Sequence, residues 1–276
     1  MTQSNVSKFT PLVSINAFTE HGLKKTWIKD ESMNPSGTVK DRRNKIIIEE
    51  ATHCGVDKLV LITAGSNGYS LAKLAIEKNI KVVCVVDRTL HKKIIEALKN
   101  VSHMVIEINL AEKTYMPAEI ISLARESETE TIWDVTNGYE DAYIPVFNEI
   151  FVELQNVDYI VVPLGSGGIY IGAIHAVERL GQKTKIIGIG PQTTYRSIAN
   201  KLSTPWTPYS HQIENYSILG HSVIRLSEQE IEQAFEKYKN LVTTEASSTV
   251  VFTAPEKIPF KKDDCVVFLN SGKSIN

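Results

Sequence analysis

The sequence predicts an α/β fold with mostly parallel sheets. Short apolar runs alternate with longer segments of helical period along the whole chain. Several runs, Val82-Val83-Cys84-Val85-Val86 among them, are apolar without a break, as in strands covered by helices on both faces. In chain order the expected strands are Thr26–Lys29, Lys58–Ile62, Lys81–Val86, His103–Ile106, Thr131–Trp133, Tyr159–Pro163, Lys185–Gly190 and Cys265–Leu269. Between them the periodicity predicts helices over Val39–His53, Tyr69–Lys78, His91–Lys99, Pro117–Glu126, Ala142–Leu154, Ile169–Leu180 and Glu228–Asn240. The last of these has a start signal, Ser227 and Glu230 at capping-box spacing. Thr193–His221 is the least regular stretch and is expected to be a surface excursion that could border a site. No repeat, low-complexity tract or Gly/Ser linker divides the chain, so two domains, if formed, are packed together and interleaved.

Composition narrows the function classes. Over 276 residues, 42% are apolar and 22% charged, which suits a globular protein with a sizeable core. The net charge of −2 is spread without basic or acidic blocks, so no nucleic-acid or membrane partner is expected. Met1–Lys8 is polar and lacks the apolar core of a signal peptide, and no apolar run is long enough to span a bilayer. Cys54, Cys84 and Cys265 are widely spaced and fit no metal pattern. They read as reduced thiols of a cytoplasmic protein.

Four segments carry candidate chemistry. In the first, Lys29 to Arg42, an Asn34-Pro35-Ser36-Gly37 turn leads from a strand into a helix that Thr38 can cap. This places Lys40 in the helix's first turn, where the dipole disfavours an ammonium and helps the free amine that imine formation requires. Taken alone, the segment also fits a solvated surface lysine. The second, Thr63-Ala64-Gly65-Ser66-Asn67-Gly68, offers small hydroxyls and backbone N–H groups before a helix, a pocket for a carboxylate or a plain turn. The third, Gly165-Ser166-Gly167-Gly168-Ile169, follows a strand and opens a helix, which favours a phosphate. It lacks the Gly-Lys-Ser/Thr of a P-loop, and Tyr170 replaces the third glycine of a dinucleotide fingerprint. The fourth, Phe268 to Lys273, ends an apolar strand with Ser271, a position where open α/β sheets place ligands.

Together, in this order, the four segments resemble the fold-type II pyridoxal phosphate (PLP) enzymes of the tryptophan synthase β-like superfamily, which include threonine synthase, cysteine synthase and serine/threonine dehydratase. Asn34 to Arg42 is similar to that family's cofactor-lysine motif, and the resemblance runs from Thr10-Pro11-Leu12 to Ser271-Gly272. It implies two packed three-layer α/β/α domains with PLP in the cleft between them. Residues 35–145 would form a smaller, movable domain, and residues 1–34 and 146–276 a larger cofactor-binding domain. Lys40 would hold the cofactor aldehyde and later act as general base. Gly165, Ser166, Gly167, Gly168 and Ile169 would bind the phosphate, and Ser271 would hydrogen-bond the pyridine nitrogen. Thr63, Ala64, Gly65 and Ser66 would line the pocket of the substrate carboxylate. The resemblance also implies a homodimer and a small amino-acid substrate; no metal is expected.

The second segment departs from the family pattern. Its relatives usually carry Ser-Gly-Asn there, with the asparagine on the ring hydroxyl, whereas the matched residues are Ala64-Gly65-Ser66, followed by Asn67. Either Ser66 or Asn67 is expected to serve the ring hydroxyl, and Ala64 removes a hydroxyl from beside the carboxylate. Lys29-Asp30-Glu31-Ser32 and Glu245-Ala246-Ser247-Ser248 resemble threonine synthase, while Gly37-Thr38-Val39-Lys40 with Ile48-Glu49-Glu50-Ala51 looks more like cysteine synthase. The expected reaction is elimination or replacement of a β- or γ-substituent of an amino acid, with synthase-type replacement ahead of dehydratase-type lyase chemistry. A non-catalytic PLP- or amino-acid-binding protein is the expectation from another class, motivated by the altered loop and the short C-terminus.

Overall fold

The structure, a computed structural model, describes residues 9–193, 197–202 and 208–274. Its ten strands are β1 Leu12–Ile15, β2 Lys25–Asp30, β3 Lys58–Ile62, β4 Lys81–Asp87, β5 Met104–Ile108, β6 Ile132–Asp134, β7 Tyr159–Pro163, β8 Lys185–Pro191, β9 Ser222–Leu226 and β10 Cys265–Asn270. They form two sheets, one ordered β1-β2-β10-β7-β8-β9 and the other β5-β4-β3-β6. Every neighbouring pair is parallel except β1–β2. Parallel neighbours need crossovers, and the main helices supply them. These are α1 Lys40–His53, α2 Ser66–Ile76, α3 Lys92–Lys99, α4 Pro117–Ala124, α5 Ile144–Glu153, α6 Gly168–Arg179, α7 Ser210–Ile218 and α8 Glu228–Tyr238.

The unbroken apolar runs are explained by cores on both faces of each sheet. In β4, Val82, Cys84 and Val86 point into one core while Val83 and Val85 point into another. In β10, Val267 and Leu269 serve one core and Val266 and Phe268 the opposite one. Each fully buried valine or leucine contributes roughly 1.5–3 kcal/mol, so neither face tolerates a polar substitution. The expected α/β class with mostly parallel sheets is therefore observed. Ser227 caps α8 as expected: its hydroxyl accepts from Glu230 N, and Glu230 accepts from Ser227 N.

Differences from the sequence expectations have local causes. The edge strands β1 and β9 went unforeseen because both are only partly buried and so lack a continuous apolar run. Thr193–His221 contains α7, and its residues 194–196 and 203–207 lie outside the described residues. The second helix begins at Ser66 rather than Tyr69. The Thr63 hydroxyl accepts from both Gly65 N and Gly68 N (3.1 Å each), which tightens the turn and brings the helix start forward. The helix expected from Ala142 begins at Ile144, after a 3₁₀ turn over Glu140–Tyr143. No helix of the described residues is long and apolar enough to cross a membrane.

Candidate active site

A cavity of about 650 Å³ opens where the C-terminal ends of both sheets' parallel strands face each other. It is lined by every residue singled out from the sequence: Lys40, Thr63, Ala64, Gly65, Ser66, Asn67, Gly165, Ser166, Gly167, Gly168, Ile169 and Ser271.

Lys40 is the first residue of α1, and its N–H donates to the Thr38 hydroxyl (3.3 Å). The turn before it closes through Gly37 N to Asn34 O (2.8 Å). Asp41 then ties the turn down by accepting from Ser36 N (2.6 Å) and the Ser70 hydroxyl (2.5 Å). The segment also bonds to the end of β10: Val39 N donates to Ser271 O (2.8 Å), and Thr38 bridges to Gly272. Residues far apart in sequence, Lys40 and Ser271, are thereby fixed side by side.

A buried ionic cluster anchors the other flank of α1. Arg42 donates to Glu149 (2.6 and 3.0 Å) and to Glu31 (3.0 and 3.1 Å). Lys29 donates to Glu149 (2.6 Å) and to Thr10 O (2.7 Å). Burial pulls the Arg42 pKa down, but the two carboxylates outweigh it and hold the guanidinium firmly protonated. Burial likewise raises Glu149, and its bonds to Arg42 and Lys29 reverse that, leaving it below the ordinary carboxylate value.

Two helix N-termini face the cavity. In α6 the first intrahelical bond is Ile171 N to Gly167 O (3.0 Å), so the amides of Gly168, Ile169 and Tyr170 precede it. In α2 the first is Tyr69 N to Gly65 O (2.9 Å), so those of Ser66 and Asn67 do the same. Such ends attract anions. Ser66 Oγ and Asn67 Oδ1 are both buried without a hydrogen-bond partner. The Thr63 hydroxyl, in contrast, is turned onto loop amides and shapes the pocket from behind. Ser271 meets the buried Ser248, hydroxyl to hydroxyl at 2.8 Å.

In the glycine loop, Gly167 has no room for a side chain. Gly167 has φ +111°, and a Cβ there would come within 3.1 Å of Ile213 and 3.2 Å of Tyr209. A left-handed alanine at such a site costs roughly 1–3 kcal/mol. Gly167→Ala is expected to weaken pyridoxal phosphate binding by at least about tenfold, read by titration, with the fold retained.

Among the described residues two lysines line the cavity, Lys40 and Lys201. Lys201 is bonded to the Glu245 carboxylate and to Lys273 O (3.1 Å). Burial raises the Glu245 pKa while Lys201 lowers it. Lys40 instead meets the Tyr143 hydroxyl at 3.1 Å. An amine free of a carboxylate partner is the better nucleophile, which singles out Lys40.

Several lining residues escaped the sequence reading: Asp87 at the end of β4, Thr89 and His91 after it, Leu110 after β5, Thr136 and Asn137 after β6, and Ser197, Asn200, Lys201, Glu245 and Ser247 on the opposite wall. Glu245 and Ser247 stand out in the sequence only through the family likeness of Glu245-Ala246-Ser247-Ser248. Position at strand C-termini was the available signal for the first six.

An amine without a carboxylate partner, an anion cradle of amides, a hydroxyl at the end of β10 and two orphaned polar atoms on one cavity fit the substituents of PLP. Comparison with known proteins agrees. The family model described as "Pyridoxal-phosphate dependent enzyme" matches residues 4–272. A cysteine synthase from Flavobacterium sp. is 28% identical over 200 residues, covering 66% of this chain and 62% of that protein. A cystathionine beta-synthase from Apis mellifera is 25% identical over 197 residues, covering 66% of this chain and 39% of the relative. The matches thus span less than two thirds of these relatives' own lengths. Serine racemase from Dictyostelium discoideum shares the fold, with TM-score 0.76, 19% identity and coverage of 97% of this chain and 93% of that one. Matched by that family model over nearly its whole length, the chain belongs to the pyridoxal-phosphate dependent enzymes.

Proposed function

We propose that this enzyme acts on an amino acid and eliminates or replaces a substituent at its β- or γ-carbon, with replacement of the cysteine synthase or threonine synthase kind as the main reaction. The observation that carries this reading is the Ser271 hydroxyl, backed by the hydroxyl of Ser248, at the end of the cavity that also holds Lys40. A hydroxyl partner does not force a proton onto the pyridine nitrogen, as a carboxylate would. The bound cofactor supplies an electron sink of moderate strength, which suits loss of a side-chain leaving group.

The chain's own residues then divide the work. Gly168 and Ile169 amides at the start of α6 hold the phosphate. Ser66 stands at the family's asparagine position, and its free hydroxyl serves the ring hydroxyl. The amides of Ser66 and Asn67 at the start of α2, with the Asn67 side chain, receive the substrate carboxylate. Lys40, bordering the same cavity, removes the proton from the α-carbon. The smaller domain, residues 35–145, closes over the cavity and excludes water.

The test is product analysis with O-acetylated and O-phosphorylated hydroxy-amino acids, with and without an added thiol. Release of acetate or phosphate, with the thiol carried into a new amino acid, is expected. Stoichiometric binding without any product would overturn the reading in favour of a binding protein. Release that ignores the thiol and yields a keto acid would assign lyase chemistry and overturn replacement.

A further inference from the structure

We infer that Tyr143 is a positioning residue for Lys40, holding its amine in both the protonated and the free form; this rests on Lys40 being the cofactor lysine. Lys40 Nζ lies 3.1 Å from the Tyr143 hydroxyl and 5.2 Å from the centre of its ring. Tyr143 is only 2% exposed and does not line the cavity, so it stands behind the amine, away from substrate.

The nature of the partner is the telling point. Three other lysines each face a carboxylate: the fully buried Lys29 faces Glu149, the fully buried Lys58 faces Glu126 and Glu130, and the half-buried Lys201 faces Glu245. A carboxylate only accepts hydrogen bonds and so favours the ammonium. A phenol both donates and accepts. It accepts from the ammonium and donates to the lone pair of the free amine. When Lys40 takes the substrate's α-proton, the C–H bond breaks, its electron pair stays with the substrate carbon, and an N–H bond forms. The Tyr143 hydroxyl then turns from donor to acceptor, and no proton leaves the pair.

The ring is well braced for this task. Tyr143 closes the 3₁₀ turn Glu140–Tyr143, which packs directly on α6. A Cβ on Gly172 would lie 2.4 Å from Glu140 O and 3.0 Å from Tyr143 Cβ, so only glycine admits the turn at this distance. The ring edge, Cε2, is 3.7 Å from where a Cβ on Gly168, the first residue of α6, would stand. One side chain thus bonds to the amine and lies beside the start of α6.

Tyr143→Phe keeps the ring and removes only the hydroxyl. In the holoenzyme we expect kcat to fall about tenfold to hundredfold with KM little changed, because the amine loses its alignment rather than the substrate its contacts. The isotope effect on kcat from an α-deuterated substrate should grow, since proton removal becomes slower relative to the other steps. Uptake of pyridoxal phosphate by the apo-protein, quenched with borohydride at timed intervals, should slow while the label stays on Lys40. A merely structural tyrosine would lower thermal stability and leave the isotope effect and uptake rate per folded molecule unchanged, and that result overturns the inference. If the wild-type label never falls on Lys40, the cofactor-lysine reading itself fails, which is a separate outcome.

Discussion

Lys40→Ala is expected to lower turnover by about 10⁴-fold or more, the scale of losing a covalent nucleophile and base together. The variant should still fold. Lys40 makes one polar side-chain contact, to Tyr143, and its loss leaves that buried hydroxyl unpaired at a cost of about 1–3 kcal/mol. The glycine loop and Ser271 are untouched, so the cofactor should still enter the cavity and be held without a covalent bond. Equilibrium dialysis measures this directly. Cofactor retention with lost turnover places the defect in chemistry, whereas turnover near the wild-type level would remove Lys40 from the mechanism.

Glu149→Ala should have the largest effect on stability. Lys29 is fully buried, and the substitution leaves its ammonium with Thr10 O as its remaining acceptor, while Arg42 keeps only Glu31 and the Thr10 hydroxyl. Leaving a buried charge unpaired costs about 3–5 kcal/mol, measurable by denaturant titration. The consequence reaches the site because Arg42 and Lys40 share the first turn of α1. The pH dependence has a definite sign. Glu149 titrates lower in the folded protein than in the unfolded chain, so its stabilisation is present above the unfolded carboxylate value of roughly 4.3 and is lost as pH falls through the folded value. The variant should therefore show a shallower loss of stability in acid than the parent. A cost below about 1 kcal/mol would mean that water or a neighbour takes the place of the carboxylate.

Much of the fold was legible because burial on both faces leaves its mark on single strands: Val82 to Val86 could hardly be anything but a covered strand. The edge strands β1 and β9 were not, since partial burial writes no such run. The motif residues were legible wherever the chemistry is local, in the Asn34–Gly37 turn before Lys40 and in the three glycines that lead into α6 and open it. Ser197, Asn200 and Lys201 had no local signature; they reach the cavity only through the tertiary arrangement. Tyr143 was hidden for another reason: it falls within an apolar helical period, and only the tertiary contact with Lys40 distinguishes it from a core residue. The start of α2 was misplaced because a side-chain hydroxyl, that of Thr63, decides it.

The central claim is that Lys40 is the residue to which the cofactor attaches. Borohydride reduction of the PLP-loaded protein, followed by proteolysis and mass spectrometry, tests it in one step. A pyridoxyl group on a peptide containing Lys40 is the expected result; a pyridoxyl group on Lys201, the other lysine of the cavity wall, or on no lysine at all, would contradict it.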